Sequence, residues 1–347
     1  MELIFRNFGP IREANFKLKP LTVIVGKNET GKSFILKALY AIFGAWSENG
    51  NLTQGNVSRK FRWVFQTYLN KLIYTGEKES LILIQFDNIE KEPFEEEKIV
   101  VRIQRNFKWK IQLSPSSVQS FKPKFKKVNF ISIPTILDIE RAIAFYRNRL
   151  PNNYGVPDIY SDFILNIKDI GVADEIELRN FYKEIEKTIG GQFKYDSKQG
   201  IVFKKGRSVY KINLVADGIK LLGILQLLIE RNLLAKNSLL ILEEPEVHLH
   251  PSLKFKLINF LRMLSEEDVY VVFSTHSPEI VRYLEYLFKV KKLKEENISL
   301  VHLVLEGGYS KKSNTNSLED LFDEILQNLT EDYFKLILKE QKELGEK

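Results

Sequence analysis

Gly26-Lys27-Asn28-Glu29-Thr30-Gly31-Lys32-Ser33 limits what this chain can fold into more than any other stretch. It fits G-x-x-x-x-G-K-[S/T] at every fixed position. Glycines let backbone N–H groups turn inward onto phosphates, a lysine reaches the terminal phosphates as a point charge, and a hydroxyl follows it to ligate Mg²⁺. The flanks agree. Leu21 to Val25 is a short apolar β-rich run. From Ser33 to Trp46, Phe34, Ile35, Ala38, Leu39, Ile42 and Phe43 recur at helical spacing. The loop therefore joins a strand to a helix N-terminus, whose positive end favours anions. An ordinary glycine turn before a helix is the simpler alternative, but it does not call for the Lys-Ser pair.

The chain has 347 residues, 44% hydrophobic and 28% charged, enough for one large globular core or two smaller ones. With no cysteine, disulfides, thiolate catalysis and cysteine-ligated zinc are excluded. No apolar run reaches membrane-spanning length, and Met1-Glu2-Leu3-Ile4-Phe5-Arg6 lacks a signal-peptide pattern. These features predict a soluble cytoplasmic protein with no membrane span. A net charge of +7 permits a polyanionic partner without requiring one.

Along the chain, residues 2–8 and 14–19 read as an antiparallel strand pair around the turn at Gly9-Pro10. Residues 47–56 read as a loop and 61–74 as a helix. Strands are expected over 81–86, 99–103 and 107–113, forming a β-rich lobe at about 57–113. A strand at 128–133 precedes a helical and hairpin lobe at about 135–212. A strongly apolar helix then runs from Ile219 to Leu234. Short buried strands are expected at 238–242, 269–273 and 298–305. Residues 306–316 read as polar loop, and the tail from 317 to 344 as two amphipathic helices, opened by a Ser317/Asp320 capping box. The division is a head over 1–305 and a helical tail over 306–347.

Nucleotide hydrolysis needs metal ligands and a way to position water. Glu243-Glu244 closes an apolar strand, and successive strand residues point to opposite faces, so the two carboxylates can serve two roles. A solvated strand end is the alternative for that pair. Thr275-His276-Ser277 ends the next apolar strand, and ligands in open α/β sheets bind beyond the carboxyl ends of strands. Three of the four histidines, His248, His250 and His276, lie near these strand ends. His248-x-His250 could instead bind metal, although no cysteine joins it.

Taken together, this loop, the strand end Glu243-Glu244-Pro245-Glu246-Val247-His248-Leu249-His250-Pro251, the Ser274-Thr275-His276-Ser277 segment and the start Ile4-Phe5-Arg6-Asn7-Phe8-Gly9 resemble the SMC/OLD branch of the ABC ATPases. The resemblance covers roughly residues 1–45 and 210–305. It implies an α/β P-loop NTPase with a mainly parallel central sheet, an antiparallel β lobe and an inserted helical lobe. It implies ATP and Mg²⁺ as cofactors, and two copies meeting head to tail across two ATP molecules. Gly26, Asn28, Glu29, Thr30, Gly31, Lys32, Ser33 and Phe34 would line the nucleotide, with Lys32 on the β- and γ-phosphates. Ser33 and Glu243 would hold Mg²⁺, Glu244 would polarise water and His276 would contact the γ-phosphate. Glu246 to His250 would fall in the segment crossing the dimer interface. Where the family carries a Ser-Gly-Gly-like signature, this chain has Ala216-Asp217-Gly218. Without the serine hydroxyl, Gly218 and its neighbours offer only backbone N–H groups, and Asp217 could equally cap the following helix. The nuclease domain of OLD proteins has no counterpart in the residues after the last expected strand, which implies a separate effector or nuclease partner.

Three functions follow: an ATP-driven switch acting on a DNA-handling or defence partner, a nucleotide-sensing regulatory subunit, and the ATPase of a separate transporter. The inserted lobes and altered signature argue against the third. No Asn-Lys-x-Asp sequence supports a GTPase. Basic runs at 122–127, 204–207 and 289–294 could give non-specific, salt-dependent DNA binding, or could be solvated faces.

Overall fold

The computed structural model describes residues 1–86, 98–114, 117–118, 124–132, 134–149, 155–247, 249–307, 309–315 and 317–345. The acidic stretch at 90–97, residues 122 and 123 of the basic run at 122–127, and His248 lie outside the described residues.

The chain opens with β1 (Glu2–Phe8) and β2 (Ile11–Lys17), an antiparallel pair turning at Gly9, followed by β3 (Leu21–Val25). Helix α1 (Lys32–Asn49) begins within the glycine-rich loop and runs further than its apolar spacing suggested. After β4 (Leu52–Thr53), α2 (Gln54–Phe65) begins where a loop was expected. The reason is local. The Thr53 side chain accepts the Asn56 N–H at 3.2 Å, and the Asn56 side chain accepts the Thr53 N–H at 2.8 Å, a reciprocal cap whose polar residues mimic loop composition.

Next come β5 (Glu79–Gln85), β6 (Lys98–Gln104), β7 (Ile111–Ser114) and β8 (Ser117–Val118). The strand expected over 107–113 thus keeps only its last three residues, with Ser114 added. Residues 105–110 form an exposed connection instead. The remaining elements are β9 (Lys127–Ile131), α3 (Glu140–Arg149), α4 (Asp158–Asp169), α5 (Arg179–Ile189), the meander β10 (Gln192–Asp196), β11 (Gly200–Lys205) and β12 (Ser208–Lys211), and α6 (Asp217–Glu230). Then follow β13 (Ser238–Glu243), α7 (Pro251–Ser265), β14 (Val269–Thr275), α8 (Pro278–Lys289), β15 (Ile298–Glu306), β16 (Tyr309–Lys312) and α9 (Leu318–Gly345). The tail is one continuous helix rather than two, with no proline or glycine between 318 and 344 to break it.

Eleven strands form one sheet in the order β7-β6-β5-β1-β2-β16-β15-β3-β14-β13-β9. The stretch β15-β3-β14-β13-β9 is parallel. The antiparallel strands β5, β6 and β7 attach through β1, so the β-rich region is hydrogen-bonded into the central sheet rather than standing apart. The polar stretch after β15 contributes β16, which bridges the parallel and antiparallel parts.

The central strands are buried on both faces, and the two-residue period divides them between two cores. Val23, Leu240, Leu242, Val271 and Phe273 face helices α5 to α9. Ile24, Leu239, Ile241 and Val272 face α1 and α2. Leu321, Phe322 and Ile325 seat the first half of α9 in the former core, which makes that half part of the head's packing.

Candidate nucleotide-binding site

Register puts the chemistry at one edge. Glu243 pairs with Ser274 across β13 and β14, and Thr275 pairs with Val25 across β14 and β3. The carboxyl ends of three adjacent parallel strands therefore release Glu243-Glu244, Thr275-His276 and the glycine loop side by side. Buried apolar pairs along each strand fix that register, because a one-residue slip would turn every side chain to the wrong face.

The loop geometry explains its glycines. Gly31 has φ +85° and leads α1. A Cβ at Gly26 would stand 2.6 Å from the Leu303 carbonyl oxygen, so β15 approaches the loop too closely for a side chain there. Glu29 also has positive φ, and the buried Thr30 donates from Oγ1 to the Lys27 carbonyl at 2.9 Å. Asn28 and Glu29 are exposed.

Lys32 is buried, and its Nζ donates to the carbonyls of Gly26 at 2.8 Å and Lys27 at 3.0 Å. The same ammonium lies 3.6 Å from Glu244 Oε1, and that oxygen lies 2.9 Å from His276 Nδ1. Burial holds the Lys32 ammonium below the ordinary lysine range, opposed by the Glu244 carboxylate beside it. Glu244 adopts φ +45°, unusual for a non-glycine residue, and is held by its N–H donating to the Ser274 carbonyl at 3.1 Å and to Ser274 Oγ at 3.2 Å. Backbone in this region costs on the order of 1–3 kcal/mol and persists where the surroundings over-determine it, commonly at functional sites.

Ser33 follows Lys32 in the first turn of α1, and Glu243 ends β13 half-buried. A hydroxyl and one carboxylate suit Mg²⁺, which keeps several waters and takes most remaining ligands from phosphate oxygens. No group of three or more acidic or histidine side chains that could hold a metal by themselves occurs among the described residues.

Other expected residues sit elsewhere. The Phe34 ring packs against Phe8 and Phe65, at 6.0 and 5.6 Å between centroids, at the edge of the core that holds α1 and α2. His250 is the N-cap of α7, its ring nitrogen bonded to Ser252. Within the segment after β13, Glu246 and Leu249 are buried inside the chain while Val247 and His250 are exposed, so only part of that stretch is free to meet another molecule. Ala216, not Asp217, is the N-cap residue of α6, and it makes no side-chain cap. Asp217 instead pairs with Lys220, which also holds Asp138 at 2.8 Å, so these contacts tie the start of α6 to the inserted lobe.

Two neighbours of the site make contacts the sequence did not suggest: Glu246, expected in the interface-crossing segment, and Lys27. Glu246, 4% exposed, accepts a hydrogen bond from Thr275 Oγ1, and burial pushes its carboxyl above the ordinary range against that bond. A carboxylate inside the run Pro245 to Leu249 was the available signal. Lys27 pairs with Asp332 of α9 at 2.8 Å, a contact 305 residues distant that leaves no local trace.

Residues 21–282 match the family model described as "AAA domain, putative AbiEii toxin, Type IV TA system". The chain belongs to this AAA family. It is an ABC-type P-loop ATPase. Residues covering 37% of the chain are 28% identical over 130 residues to the DNA double-strand break repair Rad50 ATPase of Saccharolobus solfataricus, of which they span 15%. Among solved structures, an SMC head bound to the C-terminal winged-helix domain of ScpA superposes with TM-score 0.56 at 17% identity, over 93% of this chain and 98% of that one. The Pyrococcus furiosus SMC head with an extended coiled coil, bound to the C-terminal domain of ScpA, gives 0.56 at 16% identity, over 93% and 97%. The Thermotoga maritima SMC head gives 0.50 at 15%, over 91% and 98%. These likenesses establish the α/β fold of an SMC head. No helix among the described residues is long and apolar enough to cross a membrane.

Proposed function

We propose that this AAA-family chain is an ATP-hydrolysing switch that closes as a dimer on ATP and gates a DNA-handling or defence partner. The observation that carries it is the contact chain Lys32–Glu244–His276 at the strand ends. Lys32 is tethered by two carbonyl oxygens, which triphosphate oxygens would replace. Gly26, Asn28, Glu29, Thr30 and Gly31 then supply the backbone of the phosphate cradle. Ser33 and Glu243 would hold Mg²⁺, which neutralises charge developing on the phosphates. Glu244, freed of Lys32, takes the proton of the attacking water, and His276 orients that carboxylate and meets the transferred phosphoryl group. The backbone around Gly218, at the start of α6, would reach the partner protomer's triphosphate. The match to a Rad50 segment and the family description support a DNA or defence setting, with a separate effector protein.

The test is sizing of Glu244→Gln with and without ATP. The variant should bind ATP, cease turnover and run as a dimer only with nucleotide. Lys32→Ala should lose binding itself. Hydrolysis by Glu244→Gln at the parent rate would remove Glu244 as the base.

One observation favours a second reading, a nucleotide sensor with little turnover. Asp217 and Asp138 place carboxylates, not a serine hydroxyl, at the start of α6. Parent protein that dimerises on ATP without measurable phosphate release would select it.

A further inference from the structure

The connection between β6 and β7 carries an exposed aromatic and basic surface that the ATP site does not use. Phe107 and Trp109 are 41% and 48% exposed, and Tyr68, in the turn after α2, is 46% exposed. Trp109 meets Tyr68 edge to face, with centroids 4.7 Å apart. The Arg62 guanidinium lies 4.8 Å from the Trp109 ring centre, and Lys108 Nζ lies 5.9 Å from that of Tyr68. The surface is fixed from behind. The Leu69 N–H donates to the Lys108 carbonyl at 3.0 Å, the Arg105 N–H to the Lys78 carbonyl at 2.9 Å, and the Ile111 N–H to Ser58 Oγ at 2.9 Å.

Its charge is one-sided. Residues 54–76 and 98–114 hold nine lysines and arginines and no aspartate or glutamate, with Glu77 and Glu79 at the border, where Glu79 pairs with Arg102 at 3.6 Å. Of these only Lys60 is buried, paired with Glu48, Asp158 and Asp162. The chain as a whole has 52 basic and 45 acidic residues, so this segregation is local. Rings scattered singly over a surface need no explanation, but Trp109 and Tyr68 touch each other beside Arg62 and Lys108, and Phe107 is exposed in the same connection.

We propose that this surface binds single-stranded nucleic acid, with unpaired bases stacking on Trp109, Tyr68 and Phe107 and phosphates held by Arg62, Arg105 and Lys108. Flat rings beside cations match the two chemistries of a single strand, base faces and backbone charge. In a duplex the base faces are already stacked, leaving only the phosphates to be contacted. The proposal deepens the nucleic-acid part of the function proposed above, but it involves none of Lys32, Glu244 or His276.

The test is fluorescence anisotropy with labelled single-stranded oligo-dT, oligo-U and a duplex of equal length, over a salt series. Single strands should bind more tightly than duplex, with the dT and U arms showing whether DNA or RNA is preferred. Trp109→Ala should weaken single-strand binding about tenfold or more. Its salt slope should stay unchanged, whereas the Arg105→Ala, Lys108→Ala pair should flatten the slope. Trp109→Phe should restore most of the affinity, which shows stacking rather than a fold defect. Lys32→Ala should bind single strands as the parent does, so loss of the ATP reading leaves this one standing. Duplex binding as tight as single-strand binding, or unchanged single-strand affinity in Trp109→Ala, would overturn it.

Discussion

His276 Nδ1 stands 2.9 Å from Glu244 Oε1, joining the ends of two strands that are adjacent in the sheet but 32 residues apart in the chain. A general base contributes roughly 10²–10⁴ in rate. Glu244→Gln keeps the size and most hydrogen bonding of the side chain while removing its basicity. Single-turnover phosphate release should therefore fall by about that range, with ATP affinity little changed.

Gly31 should tolerate no side chain. An added Cβ would lie 2.8 Å from Ile11 Cγ1 and 2.9 Å from Pro10 Cγ, at φ +85°. The left-handed conformation alone costs about 1–2 kcal/mol for an L-residue. Gly31→Ala should displace the loop from β2 and weaken ATP binding, read by titration with a fluorescent analogue. Gly55→Ala, in the first turn of α2 with only Thr53 Oγ1 nearby, should leave affinity unchanged and stability equal or higher.

Glu246 predicts a pH dependence. Burial raises its carboxyl, the hydrogen bond from Thr275 opposes that, Glu244 adds to it and His276 counters it. Because the folded value is raised, the group's favourable contribution is fully present below the ordinary glutamate value of about 4.5 and is lost as pH rises through the raised one. Ionisation leaves a buried carboxylate whose Oε2 lacks a partner among the described residues, a cost that grows as pH rises. Glu246→Gln should therefore raise the melting temperature at pH 7, with the gain shrinking as the solution is acidified. A gain independent of pH would assign the effect to packing instead.

The role of α9 in the head can be read from two phenylalanines on that helix. Phe322 is fully buried against α8, its ring centroid 6.2 Å from that of Phe288, whereas Phe334 is 57% exposed. Phe322→Ala should cost about 3–5 kcal/mol. Phe334→Ala should stay within about 0.5 kcal/mol. Comparison of urea midpoints separates a tail packed into the head from one appended to it.

Local chemistry carried much of this protein's design. The glycine loop, the apolar strands before Glu243 and Thr275, and the helix start at Pro251 are each written within a dozen residues, because turn geometry, two-residue burial and helix capping are short-range effects. Those signals placed the parallel strands and nominated Lys32, Glu244 and His276. Where polar composition was ambiguous, the same reasoning took the Thr53 cap for loop and missed β16, since an edge-bridging strand shows little apolar alternation. Tertiary structure alone decided that β5 to β7 join the central sheet, that Glu246 folds back under Thr275 while Val247 faces outward, that Lys27 meets Asp332, and that Trp109 and Tyr68 share one basic surface. These depend on which elements become neighbours. Packing of the two cores sets that, at sequence separations where no periodicity or motif survives.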